Sequence, residues 1–370
     1  MANLFDYLAW RGDLDFSIVP PNGVDALIFS ALSYINFSGI VPTEPERFIS
    51  IRQAADGLFV IPEVEDRARV KHDLELLEQC AASRRFGSCR VGFYRDVLIR
   101  EEETQFAAVT FLLNDGSAFV AFRGTDSTMT GWKEDFNMSF QETVPAQLAA
   151  MEYADEFGRH WDCPTRFCGH SKGGNLAVYA ASKCAPLLRR RIFGVYNNDG
   201  PGFHHSMMED KSYLALVPRI HTYVPQSSVV GMLLEHEEPY VVVKSAQLGL
   251  LQHDPYSWMV LGGDFVREQE VTAESKFVDQ AMKAWLADMT IDQRNAFVDT
   301  VFELMQSSGV ERTQDLFRVR NLASLIKSLR ADENAKKVIC EELGNLVQAA
   351  AKSQKQKRES QRQGREELPE

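Results

Sequence analysis

The stretch Thr165-Arg166-Phe167-Cys168-Gly169-His170-Ser171-Lys172-Gly173-Gly174-Asn175-Leu176-Ala177-Val178-Tyr179-Ala180-Ala181 decides the fold. A short β-prone run meets Gly-His-Ser-Lys-Gly, and an alanine-rich helical run follows. The pattern predicts a strand, one sharp turn carrying Ser171, then a helix. Gly169 and Gly173 are needed for a steric reason. The turn brings strand and helix backbones together and strains the serine between them, so a Cβ at either glycine would clash. The helix N-terminus points backbone N–H groups at any negative charge that forms beside the serine. Ser171 is therefore the candidate nucleophile. The alternative is a glycine-rich strand-to-helix turn in which Ser171 only caps the helix.

Working outward, residues 22–36 show helical spacing with Asp25 near the start, and 66–82 form a second amphipathic helix. A strand is expected over 90–98. Two β-rich runs, 106–113 and 117–122, flank Asn114-Asp115-Gly116, a strong hairpin signal. The pattern then alternates: helix 145–160, strand 165–168, helix 173–183, strand 192–197, and strand candidates at 220–224 and 240–244. Antiparallel pairing followed by β-α-β crossovers predicts an α/β fold, a mixed and mostly parallel sheet flanked by helices. From Asp264 onward no β-rich run is expected. Helical periodicity covers 274–289, 291–307, 313–329 and 335–351, with Phe297, Val301 and Leu304 in one buried stripe. The expected organisation is a main domain over 1–263, a helical appendage over 264–351 and a disordered charged tail over 352–370.

The 370 residues are 45% hydrophobic and 25% charged, enough apolar material for a sizeable core. The formal net charge of −12 leaves no broad basic field to neutralise phosphates, which argues against a nucleic-acid partner and weakens binding to anionic membranes. The opening Met1-Ala2-Asn3-Leu4-Phe5-Asp6-Tyr7 has no secretory pattern, and no apolar run approaches a membrane span. Cys80, Cys89, Cys163, Cys168, Cys184 and Cys340 are scattered and lack zinc-site spacing, so they read as free thiols in a reducing cytoplasm.

A second motif follows the hairpin: Val120-Ala121-Phe122-Arg123-Gly124-Thr125, with Trp132 and Asp135 downstream. Together with Gly-His-Ser-Lys-Gly it resembles the class 3 (fungal-type) lipases of the α/β-hydrolase superfamily, over about residues 90–260. The opening Asp6-Tyr7-Leu8-Ala9-Trp10-Arg11-Gly12-Asp13 is similar to a bacterial family of unknown function placed near those lipases, and that likeness reaches most of the chain. The resemblance implies an α/β-hydrolase fold and a carboxylic ester hydrolase without metal or organic cofactor. It implies an oxyanion hole formed by Thr125, through its N–H and hydroxyl, and by the N–H of Lys172. It also places a lid between Asp126 and Phe140 with Met129 and Trp132 beneath it, where a plain surface loop with one packed tryptophan is the alternative. The Lys172 side chain stands where those lipases carry an apolar residue, and a solvent-facing lysine is expected.

A base is needed to deprotonate Ser171, and histidine is the usual choice. The order serine, acid, histidine selects from His204, His205, His221, His236 and His253. His253, in Gln252-His253-Asp254-Pro255-Tyr256, follows the last strand candidate and resembles the His-x-x-Tyr ending of the related lipases. His170, inside the turn with Gly169 and Gly173, reads as packing behind the serine. The lipases supply their acid after a later strand, but the matching segment Ile220 to Gly231 has no carboxylate. Asp199, in Asn197-Asn198-Asp199-Gly200-Pro201, lies where functional groups of open α/β sheets gather. Its alternative is a turn residue, and Asp254 is the second candidate acid. The expected chemistry is cleavage of a small ester or thioester, or a lipid-like substrate, through an acyl-enzyme. An intracellular esterase, lysophospholipase or thioesterase is the expected set. The competing reading is a hydrolase fold retained as an inactive binding or regulatory scaffold.

Overall fold

Strand direction across the central sheet switches from alternating to uniform at one hairpin. The computed structural model describes residues 2–307 except 100, 102 and 127, and residues 336–348 except 343, 346 and 347. Among these, β1 (Phe48–Ser50), β2 (Arg90–Ile99), β3 (Thr104–Leu112), β4 (Ala118–Phe122), β5 (Thr165–His170), β6 (Ile192–Asn198), β7 (Ile220–Pro225) and β8 (Tyr240–Val243) lie side by side in chain order. Pairing is antiparallel from β1 to β4 and parallel from β4 to β8. The β3–β4 hairpin turns at Asn114-Asp115-Gly116, where Gly116 takes a φ of 83° that suits glycine. Further on, β9 (Val260–Leu261) pairs with β10 (Asp264–Phe265), and β11 (Arg267–Glu268) joins the sheet antiparallel to β8. β10 and β11 differ from the all-helical expectation from Asp264 onward, because two-residue strands carry no readable alternation.

Both faces of the sheet are covered. Val109, Phe111, Phe119, Ala121 and Cys168 pack in one core with the helix Gly23–Leu32. Ala108, Val120, Phe122, Phe167 and Val195 pack in another with the helices Pro145–His160 and Lys172–Lys183. Successive side chains of a strand point to opposite faces, so β4 alternates between the two cores while every residue of it is buried. A mixed sheet flanked by helices, antiparallel up to β4 and parallel from β4 to β8, is an α/β-hydrolase fold.

Local signals set the helix starts. Asn22 accepts from the N–H groups of Val24 and Asp25, and Asp25 returns a bond to the Asn22 N–H. The same buried Asp25 holds Arg85 through contacts of 2.8 and 2.6 Å and accepts from Tyr7 at 2.8 Å. The helix expected over 66–82 begins later, at Lys71. Asp73 accepts from the N–H groups of Arg69 and Val70 there, while Val64–Arg67 forms a separate 3-10 turn. The helices Leu4–Arg11, Ile51–Phe59 and Met129–Met138 were not expected.

The chain divides into two compact units. The first comprises Met1–Asp126 and Glu142–Val271 and contains the whole sheet. The second takes residues 127–141 together with the described residues from Thr272 on. Within the second unit, Phe140, Val298 and Phe302 form a small core, Trp285 meets Phe297 edge-on at 5.5 Å, and Lys133 pairs with Asp299 at 2.7 Å. Most of the stretch read as a lid therefore belongs to the helical unit. The helix expected over 313–329, much of that over 335–351 and the tail over 352–370 lie outside the described residues.

Candidate active site

β5 ends at His170, buried along its whole length between β4 and β6. Ser171 then takes φ 59° and ψ −134°, a conformation that costs a non-glycine residue about 1–3 kcal/mol. Its surroundings enforce the turn. A Cβ on Gly169 would lie 2.0 Å from the Gly173 carbonyl oxygen, and one on Gly173 would lie 2.1 Å from that of Phe122. One on Gly174 would lie 2.1 Å from Oδ1 of Asn197. The Ser171 N–H donates to the Asn198 carbonyl at 3.0 Å, tying the turn to the end of β6.

Asp199 follows at once, fully buried and itself at φ 54°. Its N–H donates to the Tyr223 carbonyl on β7 at 2.8 Å. Its Oδ2 lies 2.7 Å from Nδ1 of His253, and its Oδ1 accepts from the Ser228 hydroxyl at 2.5 Å. A carboxylate only accepts, so Nδ1 of His253 carries the hydrogen and Nε2 is left as the base nitrogen. Gly231 crowds the same carboxylate: a Cβ there would lie 2.3 Å from Oδ1 of Asp199.

His253 ends the 3-10 turn Gly249–His253, and its side chain is 31% exposed. The buried His170 meets its carbonyl at 2.8 Å through Nε2, and the two rings lie 4.6 Å apart. A carbonyl can only accept, so Nε2 of His170 donates and Nδ1 is left to accept from the Tyr34 hydroxyl at 3.0 Å. Burial, with the nearby charges of His253 and Arg69, pushes the His170 imidazole well below its ordinary range. His170 does more than pack behind the serine: it bonds the loop that presents His253.

Asp254 points its carboxylate elsewhere, accepting from the Tyr256 N–H at 3.2 Å to cap the next turn. His205 is exposed, and His221 stacks on Tyr196 at 4.9 Å. His236 turns to Glu238 and the Gly231 carbonyl.

Thr125 is partly exposed just past the end of β4. Arg123 before it is buried and grips Asp96 through two contacts of 2.9 and 2.8 Å. Gly124 passes so close that a Cβ would lie 2.2 Å from the Tyr34 hydroxyl and 2.5 Å from the His170 carbonyl oxygen. Lys172 corrects the expectation of a solvent-facing side chain. It is 2% exposed, and its ammonium donates to the backbone carbonyl of Gln105 at 2.9 Å and to its side-chain oxygen at 2.8 Å. A lysine at the first helical position points back over the preceding strand end, and β3 supplies the oxygens there.

The structure thus brings Asp199 and His253 together and sets His253 beside the residue preceding Ser171. Ser228, Gly231 and Tyr34 escaped sequence reading. Ser228 lies in the very segment that lacks a carboxylate, but only its contact with Asp199 distinguishes it from any loop serine. Among the described residues no group of three metal-ligating side chains occurs, and no helix is long and apolar enough to cross a membrane.

A sequence model of the family described as Mbeg1-like matches residues 80–303, more than half of the chain. No curated protein matches. Among solved structures, the crystal structure of M37 lipase is similar at 14% identity over 57% of this chain and 70% of that one, with a TM-score of 0.39.

Proposed function

The chain belongs to the Mbeg1-like family, and from that footing and the geometry of the site we propose that it is a serine hydrolase of esters or thioesters. One observation carries the reading: a buried carboxylate 2.7 Å from a histidine that is bonded through its own carbonyl to the residue preceding a strained serine.

His253 takes the proton of Ser171 as the hydroxyl oxygen attacks the acyl carbonyl. Asp199 fixes the tautomer and stabilises the imidazolium that results. The N–H groups of Thr125 and Lys172 hold the oxyanion, each worth about 2.7–4 kcal/mol in the transition state. The Ser171 oxygen then forms the acyl bond as the leaving group departs with the proton held by His253. Water, deprotonated by the same histidine, releases the acid and restores Ser171. A small acyl ester or lipid-like molecule is the substrate class, and a cytoplasmic site suits the six free cysteines.

The test is covalent labelling of the purified full-length protein by a fluorophosphonate probe, with Ser171→Ala as control. Labelling that disappears in the variant is expected. Folded protein that never labels would return the scaffold reading to first place.

A further inference from the structure

A second histidine–carboxylate pair stands behind the first. Glu238 is 1% exposed, and three groups converge on it. Tyr213 donates its hydroxyl at 2.6 Å, Thr222 donates from β7 at 2.7 Å, and Nδ1 of His236 lies 3.2 Å away. The other ring nitrogen of His236 lies 3.0 Å from the Gly231 carbonyl. Burial opposes ionisation of Glu238, but His236, Thr222 and Tyr213 together hold its carboxyl below the usual range. An ionised carboxylate and a carbonyl can only accept, so both contacts are hydrogen bonds when both ring nitrogens carry a hydrogen.

Gly231, whose carbonyl His236 meets, is the residue that crowds Asp199. Its N–H donates to the Ser228 hydroxyl at 3.1 Å, and Ser228 donates to Oδ1 of Asp199. A path of hydrogen bonds, carried across Gly231 by its own backbone from carbonyl to N–H, therefore links Glu238 and His236 to Ser228, Asp199 and His253. The Glu238 end is anchored on β7, the strand whose Tyr223 carbonyl receives the Asp199 N–H.

We propose that His236 and Glu238 are positioning residues: they clamp the Gly231 turn so that Ser228 occupies one oxygen of Asp199 and leaves the other aimed at His253. The proposal rests on the hydrolase reading for its catalytic consequence. The clamp acts on the orientation of the acid, and misplacement of such a group by about 1 Å costs up to about 100-fold in rate.

The experiment uses the full-length chain and two readouts. The first is the far-downfield proton of the His253–Asp199 bond by NMR, assigned by its loss in Asp199→Asn. The second is kcat and KM on a p-nitrophenyl ester. In His236→Leu, which keeps side-chain bulk but cannot donate, the proton is expected to move upfield or broaden. In the same variant kcat falls about tenfold and KM stays within about twofold. A folded variant with the native proton and native kcat overturns the proposal. If His236→Leu does not fold, Glu238→Gln carries the same two readouts with the same deciding outcomes. Failure of the hydrolase reading would show separately, as wild-type protein with no ester turnover or with turnover that survives Ser171→Ala. The downfield proton would still report on the clamp.

Discussion

The N–H of Ser171 and the carbonyl of Asn198 are bonded at 3.0 Å, so the tips of β5 and β6 are joined at the point where each chain enters a left-handed residue. Ser171 and Asp199 leave their strands from this shared anchor. The nucleophile and the carboxylate are thus set by two neighbouring parallel strands, and His253 arrives on a loop that Asp199 and His170 both grip.

Replacing Asp199 by Asn keeps the shape but favours the wrong tautomer of His253. A fall of about 10⁴-fold in kcat on a p-nitrophenyl ester is expected. Asp254→Asn removes a cap on the following turn, and less than about a tenfold change is expected. Small and equal effects would show that the acid lies elsewhere.

Gly173→Ala puts a methyl 2.1 Å from a backbone oxygen that cannot move without disturbing β4. A loss of about 3 kcal/mol or more is expected in urea unfolding, at the top of the overpacking range. Gly116→Ala meets nothing within 4 Å. It should cost only the left-handed backbone conformation, about 1–2 kcal/mol.

The neutral, buried His170 makes stability depend on pH. Its pKa is lowered on folding, so the unfolded chain takes up a proton first as pH falls through about 6.5, and stability present above that pH is lost below it. Glu238, also lowered on folding, contributes stability that is lost further down, below about 4.5. Thermal melts between pH 7 and 5 should therefore show a decline in Tm that flattens in His170→Gln. An unchanged slope in a folded variant would rule out His170 as its source.

Lys172→Met keeps the backbone N–H but withdraws the ammonium from Gln105. The expected result is a stability loss of about 1–3 kcal/mol, from buried oxygens deprived of a donor. The value of kcat/KM should stay within about tenfold, because the proposed oxyanion donor is the peptide N–H. A much larger kinetic loss would mean that the buried charge itself acts on the oxyanion.

How much of this could be read in the sequence follows from range. The turn at Ser171 was legible because Gly169 and Gly173 act within a few residues. The hairpin was legible because Asn114-Asp115-Gly116 sits between two apolar runs. Asp199 and His253 could be offered only from order along the chain, place at the sheet edge and a likeness to the lipases' His-x-x-Tyr, since their bond spans 54 residues. Nothing local says that Lys172 is buried, because the oxygens that receive it come from β3, 67 residues away. The helix Met129–Met138 escaped because its apolar residues are interrupted by Lys133, Glu134 and Asp135. β11 was missed because two residues have no period.

The glycines around Ser171 touch main chain or a buried amide on every side, so this crossing has no slack for even one methyl group. Divergence among descendants of this chain must then run around the crossing rather than through it. On the turn before His253, by contrast, the side chains of Leu248, Leu250 and Leu251 stand exposed and meet no such wall, so changes of side chain there leave the hub untouched.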